Sequence, residues 1–385
     1  MPDRPAWGHV KTLLPPLALL VLAAVAIGQW TAPRQWKPDS LFYQAHVYQI
    51  EGDSHEVAYR KVFAGPLSLP RRLGDAGLPL AQRHVGNPAW VRFSEQFYER
   101  RWFVPALAAL LSPVWGVDAL RVASLLAYLL LGPALYVLLR RRAGTLASLA
   151  IAAGALLLAP LLFQAGQPVT DVWGLALETV AAAAALLVLE RSWRWLALWL
   201  VVLAALSLTR DSAVILVFAA GWLALRERTR RAVALAVSGA AVALPFPLVL
   251  GAPLRTEMAY TFSGFSQPAD SSWGWVLSHY WRNLRSLGRN NLNYLEAHPF
   301  TTFFLVGGYL ALVLVRSRGD RFARFFRGAA VASIVFDALL PNYTEFRLEL
   351  TFVPIAAAGL ALAAVQSRQP LRALLDTKVL RFRHG

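Results

Sequence analysis

Between Trp195 and Leu225 the chain carries two apolar runs, WLALWLVVLAALSL and SAVILVFAAGWLAL, separated by Thr209-Arg210-Asp211. An arginine at membrane depth costs roughly 2.5 kcal/mol or more at a helix centre, and it is kept where it faces a cavity or binds something charged. Arg191 and Arg194 precede the two runs; Arg226, Arg228, Arg230 and Arg231 follow them. Basic clusters mark the cytoplasmic side of a membrane, so both ends belong inside. The chain must go out and come back with Arg210 and Asp211 at the top. Each limb has about 14 residues, or roughly 21 Å, short of the roughly 30 Å hydrocarbon core. The turn is therefore expected below the outer headgroups, where bare backbone is tolerated only inside protein or along a water-filled cavity. The stretch predicts an anion site that opens outward.

Composition points the same way. Of 385 residues, 57% are hydrophobic, and several apolar segments reach about 17 residues or more, the length of a spanning helix. The formal charge of +16 could suggest nucleic acid. The arginines gather between apolar segments, however, so they orient membrane helices and no nucleic-acid partner is expected. The absence of cysteine excludes disulfides and thiolate metal sites. The scattered His46, His55, His84, His279 and His298 lack metal-ligand spacing, so no metal site is expected from them. Nucleotide-binding motifs in a strand–helix context are likewise missing.

Hydropathy predicts an all-α integral membrane protein, residues 1–385 forming one polytopic domain of about ten transmembrane helices with both termini cytoplasmic. Arg4 and Lys11 place the start of a first helix (12–30) inside; an uncleaved helix is the favoured reading, with a cleaved signal peptide as the alternative, since Gly28-Gln29-Trp30-Thr31-Ala32-Pro33 is only a weak cleavage signal. Residues 31–117 form a large extracytoplasmic loop, with surface helices expected at Ser40–Ile50 and Pro88–Arg101, where aromatics suit the membrane interface. Trp102–Trp115, broken by Pro105 and Pro113, reads as interfacial or re-entrant, because a full span there would put Arg140-Arg141-Arg142 outside. Spans are expected at Ala119–Leu139, Leu146–Phe163, Val172–Leu189, the short pair around Arg210, Ala232–Leu250, Phe300–Val315, Ala329–Leu340 and Leu350–Val365. Residues 251–299 form a second outer loop, and 368–385 a basic cytoplasmic tail.

In this topology Asp39, Arg101, Asp171, Arg210, Asp211, Glu345, Arg347 and Glu349 all fall outside. Glu178 lies seven residues after Asp171, two turns along one helix face, and an intramembrane glutamate is a candidate functional group. Arginine forks bind phosphate in bidentate fashion, and a carboxylate can take the proton of an attacking hydroxyl. Structural roles compete at each position: Asp39 and Asp171 as helix caps, Arg210 with Asp211 as a simple pair, Glu345 and Arg347 as interface charge.

The order of these elements resembles the GT-C superfamily of multi-pass glycosyltransferases, which includes the protein O-mannosyltransferases and lipid A aminoarabinose transferases. The matching stretches are Lys37-Pro38-Asp39-Ser40 near the start of the first outer loop, Arg101-Trp102-Phe103-Val104-Pro105 after the second surface helix, and Tyr136-Val137-Leu138-Leu139-Arg140-Arg141 at the end of a span. Thr170-Asp171 then opens a helix after an outer turn. Thr209-Arg210-Asp211-Ser212 is similar to the Thr-Arg-Glu-Thr/Ser hairpin motif of bacterial cell-surface glycopolymer proteins, and Glu345-Phe346-Arg347 to a late Glu-x-Arg before a final span.

The resemblance implies transfer, with inversion, of a sugar from a polyprenyl-phosphate donor to an extracytoplasmic glycan, lipid or protein, at a bacterial inner (plasma) membrane. Asp39 would be the base. Arg210, Arg347 and Arg101 would hold the donor phosphate, and Asp171, Glu178, Asp211 and Glu345 would orient the arginines or the sugar. Many relatives carry a second acidic residue where Ser40 stands. That favours a single base over a metal-assisted route; no cofactor is implied, and a divalent metal is left open. The competing reading is a transporter or flippase for a lipid-linked or anionic solute, since midplane charges and broken helices also suit transporters.

Overall fold

The computed structural model describes residues 7–29, 36–64, 87–246, 251–315, 319–340 and 351–382, with isolated positions at Leu69 and Val249. The described residues are helical throughout, joined by turns. The N-terminal helix α1 (Trp7–Gln29) is followed by three short helices over the head of the bundle: α2 (Pro38–Ile50), α3 (His55–Phe63) and α4 (Pro88–Glu95). Helix α5 (Phe103–Trp115) leads through a 3₁₀ turn into α6 (Ala119–Leu156), and α7 (Ala159–Ala165) precedes α8 (Asp171–Glu190). The two apolar runs around Arg210 form α9 (Trp195–Ser207) and α10 (Ala213–Glu227), lengths close to the expected limbs. Then come α11 (Arg230–Ala243), α12 (Leu254–Phe262), α13 (Trp273–Ala297), α14 (Pro299–Leu314), α15 (Arg321–Leu339) and α16 (Phe352–Phe382).

Helix α6 is not one rod. Gly144 has φ 75° and ψ 177°, outside helical geometry, and glycine takes a positive φ without the Cβ penalty of other residues. The chain folds back there. Tyr128 Oη donates to the Leu156 carbonyl at 2.6 Å, which 28 residues of straight helix, roughly 42 Å, would forbid. The two limbs of α6, residues 119–143 and 145–156, thus run antiparallel with Arg140-Arg141-Arg142 near their turn; the second stops at Leu156, short of the expected Leu146–Phe163, because the helix breaks at 157–158 before α7.

Measured by length and composition, two helical stretches suffice to cross a membrane, Phe103–Leu156 and Asp171–Glu190. A third is added if α13 and α14, which turn through 117° at their junction, count as one broken span. The ten passes expected from hydropathy exceed that number. The other apolar stretches, among them Leu13–Gln29 within α1, α9 and Phe352–Ser367 within α16, are 10–17 residues long, shorter than the roughly 20 residues a full span needs.

Helix α8 is the axis of the fold. It is buried along nearly its whole length and packs between α6 and α9. Its 20 residues reach about 30 Å. Charge collects at both of its ends and thins between them. At the Glu190 end, Arg142 bridges Glu190 and Asp320 (both 2.9 Å), and Glu227 receives Arg321 (2.8 Å) and Arg324 (3.1 Å). At the Asp171 end lies the second cluster. The apolar core between them combines small and branched side chains from α6, α8, α9, α10 and α16 with large rings, among them Trp199 of α9 and Phe322, Phe325 and Phe326 of α15. A separate aromatic core holds α2, α4 and the start of α5 together above it.

Candidate functional site

The second cluster is built where four stretches meet. Asp39 sits in the first turn of α2, where a negative charge suits the helix dipole. Lys37 occupies the N-cap position, so Asp39 is not the cap of this helix. Its Oδ1 accepts a hydrogen bond from the Tyr98 hydroxyl at 2.8 Å. Tyr98 in turn stacks on Phe42 (centroids 4.4 Å, planes 7° apart). Burial, reinforced by the Asp39 charge, pushes the Tyr98 hydroxyl well above its ordinary range. Tyr98 therefore stays a neutral donor to Asp39 at any physiological pH.

Arg100 and Arg101 follow on the same segment. Both reach Asp211: Arg100 pairs with Oδ1, and Arg101 lies 3.5 Å from Oδ2. Arg101 also donates to the Tyr43 hydroxyl at 3.0 Å, and Thr170 donates to that same hydroxyl at 3.3 Å. The backbone fixes this meeting. The Phe103 N–H donates to the Leu208 carbonyl at 3.2 Å, which holds the arginine pair beside the turn between α9 and α10.

On that turn, Arg210 and Asp211 point to different partners. Asp211 takes the arginines of the first loop, while Arg210 pairs with Asp171 at the start of α8. Asp171 lies one residue inside the helix, after Thr170 at the N-cap, so it too is a partner rather than a cap. Gly174, one turn along, gives Arg210 its room: a Cβ there would lie 2.7 Å from Arg210 Cδ. Glu178 is buried deeper on the same face, near Ser212 and Arg210, and its Oε1 has no hydrogen-bond partner. The side chains of Asp171, Arg100, Arg210, Arg101 and Asp211 are between 1% and 15% exposed, so these charges are screened far less than surface charges.

Six of the eight residues expected from sequence thus stand together: Asp39, Arg101, Asp171, Glu178, Arg210 and Asp211. Glu345 and Arg347 lie outside the described residues. Sequence reasoning missed Arg100, Tyr43 and Tyr98. The doublet Arg100-Arg101 was visible, but an arginine after a surface helix is ordinary. The tyrosines were read only as interface aromatics. Among the described residues no group of three or more His, Cys, Asp or Glu could hold a metal ion.

Tyr260 on α12 closes one side of the cluster. It stacks on Phe97 (4.5 Å, 13°), meets the Ser94 hydroxyl at 3.3 Å, and ties α12 to α4 and the turn that follows it. Carboxylates, arginine forks and neutral hydroxyls gathered out of water can bind a phosphate, hold a polyol and take up one proton. No known protein-family model matches this chain, and no curated protein matches it.

Proposed function

We propose that this chain is an integral membrane glycosyltransferase that moves a sugar from a polyprenyl-phosphate donor to an extracytoplasmic glycan, lipid or protein. The observation that carries the reading is the convergence of Asp39, Arg101, Asp171, Arg210 and Asp211 in one sheltered cluster. In the reaction, the acceptor hydroxyl oxygen attacks the anomeric carbon of the sugar and its proton passes to Asp39. The bond from that carbon to the phosphate oxygen breaks, and the electron pair leaves with the phosphate. Arg210, Arg101 and Arg347 take up the charge that develops there, the kind of stabilisation that acts most strongly away from water. Asp171 and Asp211 hold two of these arginines in place, Tyr98 orients Asp39, and Glu178 faces the sugar. Arg100 joins the set as a partner of Asp211.

The membrane topology belongs to the same proposal: about ten passes, both termini cytoplasmic, in a bacterial inner membrane. Its support is the separation of charge into two layers about 30 Å apart along α8, the thickness of a hydrocarbon core. The short helices supply the remaining passes, their ends dipping below the headgroups into protein.

The test is turnover of a polyprenyl-phosphate sugar by the protein in lipid nanodiscs, alongside direct titration of a donor analogue. Asp39→Asn keeps most hydrogen bonds but cannot accept the proton; the expected outcome is a loss of about 10²–10⁴ in turnover with donor affinity retained. Arg210→Lys keeps charge but loses the planar fork, so donor affinity should fall, and Arg210→Gln should weaken it further. Near-normal turnover in Asp39→Asn removes Asp39 as the base. Unchanged donor affinity in Arg210→Gln removes the phosphate role and leaves Arg210 as a structural partner of Asp171.

A further inference from the structure

Helix α13 presents three different faces. Val276, Asn283 and Leu287 are buried against the body of the protein, and the Tyr280 hydroxyl reaches the Ala338 carbonyl at 2.7 Å. The next face is apolar yet open: Trp273, Leu277, Trp281 and Leu292 are 49%, 63%, 72% and 62% exposed. The first three follow i, i+4, i+8, one continuous ridge. Beyond that ridge stand Arg282, Arg285 and Arg289, all exposed. Behind the arginines, Arg282, Ser286, Arg289, Asn290 and Asn293 line an open polar groove of about 550 Å³ that also touches Phe262. Around the helix the order is protein, apolar, cationic, polar.

Two large tryptophans exposed on one ridge beside a row of arginines are not a water-facing pattern, and the neighbouring helix says what covers them. At His298-Pro299 the chain turns through 117° into α14, whose outer stripe is also apolar and open: Phe303 is 72%, Leu310 52% and Val313 76% exposed. A helix lying in the membrane interface buries its apolar face just below the headgroups and keeps its arginines at their level. Phosphates carry the charge that the arginines lack, and a basic residue near an anionic leaflet is attracted to it.

We propose that α13 lies flat in the outer leaflet, with Trp273, Leu277 and Trp281 in the acyl region and Arg282, Arg285 and Arg289 on the phosphates of anionic lipids. The 25-residue helix would cover about 37 Å of leaflet. The polar groove then faces water beside Phe262, the last residue of the helix that carries Tyr260. The inference rests on the membrane reading of the chain, not on its chemistry.

The cysteine-free sequence allows a direct test. Single cysteines at Leu277, Trp281, Asn290 and Leu310 are spin-labelled in the full chain in bilayers, and collisions with oxygen are compared with those of a water-soluble nickel chelate. Labels at 277 and 281 should be oxygen-dominated at shallow depth, the label at 310 oxygen-dominated and deeper, and the label at 290 nickel-dominated. If 277 and 281 resemble 290 while 310 remains in lipid, α13 stands off the membrane and the proposal is lost. If 281 is shielded from both reagents, protein covers the ridge and the lipid assignment is equally lost. If 310 itself is nickel-dominated, the membrane reading has failed first. For the arginine row, spin-labelled phosphatidylglycerol and phosphatidylcholine are compared around the protein. The unaltered chain should favour the anionic lipid severalfold, and Arg282→Gln/Arg285→Gln/Arg289→Gln should lose that preference. Arg285→Gln alone, at an exposed position, should reduce it in part if the triple variant fails to accumulate. An unchanged preference overturns the phosphate contact.

Discussion

At the scale of single residues, the arginine that drew attention in the sequence is held by two neighbours of opposite kind. Asp171 neutralises Arg210, and the missing side chain of Gly174 lets the arginine stem lie against α8. Gly174→Ala should therefore displace Arg210 although alanine favours a helix by about 1 kcal/mol. On the proposed function we expect donor affinity to fall at least tenfold while the protein still accumulates. Gly221→Ala, where a Cβ would meet nothing within 4 Å, should leave affinity unchanged in the same titration. A second residue sets an acid limit. His46 is buried and stacked on Trp102 (4.2 Å, 12°). Burial lowers its pKa from 6.5 to about 4, the backbone at Arg101 opposing and His55 adding to the shift. The unfolded chain thus binds this proton more readily between those values. Stability is complete above about pH 6.5 and declines as pH falls, by at most about 1.4 kcal/mol per pH unit. His46→Phe keeps the stack and cannot be protonated, so thermal unfolding between pH 7 and pH 5 should shift less in the variant than in the parent chain. A larger shift in the variant would mean that another group sets the acid limit. Arg210 and Asp171 were legible in sequence because each is a charge set at the edge of an apolar run, whereas Asp39, between Lys37 and Ser40 in a polar stretch, stood out only through the resemblance. Their partners were not legible, since Asp171–Arg210 and Arg101–Asp211 join residues 39 and 110 positions apart, and pairing at that range is fixed only by how the helices lie.

At the scale of elements, charge runs located the turns better than hydropathy located the passes. Arg140-Arg141-Arg142 marked the fold-back that Gly144 completes, and the Arg210 interruption marked the gap between α9 and α10. What hydropathy could not show is how closely helices approach. Helices α14 and α16 meet at backbone distance: a Cβ on Gly308 would lie 2.4 Å from the Ala356 carbonyl oxygen, and one on Gly359 would overlap the Gly308 carbonyl. Small residues permit such contact between membrane helices. Gly308→Ala must push whole backbones apart, so we expect severe loss of folded protein, read as monodisperse yield in detergent. Gly307→Ala, with nothing within 4 Å of the added carbon, should leave yield intact. Equal yields would show that α14 and α16 can separate without cost. Tyr128→Phe tests the fold-back: losing one hydrogen bond to Leu156 should cost about 1 kcal/mol, seen as a lowered unfolding midpoint.

At the scale of the whole molecule, the two charged layers give the chain a polarity that labelling can read. Cysteines placed singly at Ser54 and Gln267 should react with impermeant thiol reagents in intact spheroplasts, and one at Thr145, beside the Gly144 turn, should not. All three positions are exposed, so the difference reports sidedness rather than burial. Labelling at Thr145 would place the ion pairs of Arg142, Glu190 and Glu227 on the same side as Asp39, and the proposed topology would fall. The layered arrangement has one further consequence. Helix α8 joins the layers as a single unbroken rod with Asp171 at one end and Glu190 at the other, so their spacing cannot stretch to suit its surroundings. A lipid with longer chains would bury charged ends, and a shorter one would strand apolar side chains in water; either mismatch costs fractions of a kcal/mol per ångström. On the proposed topology this rod is a fixed gauge of bilayer thickness, and the protein should work best where the acyl chains match that gauge.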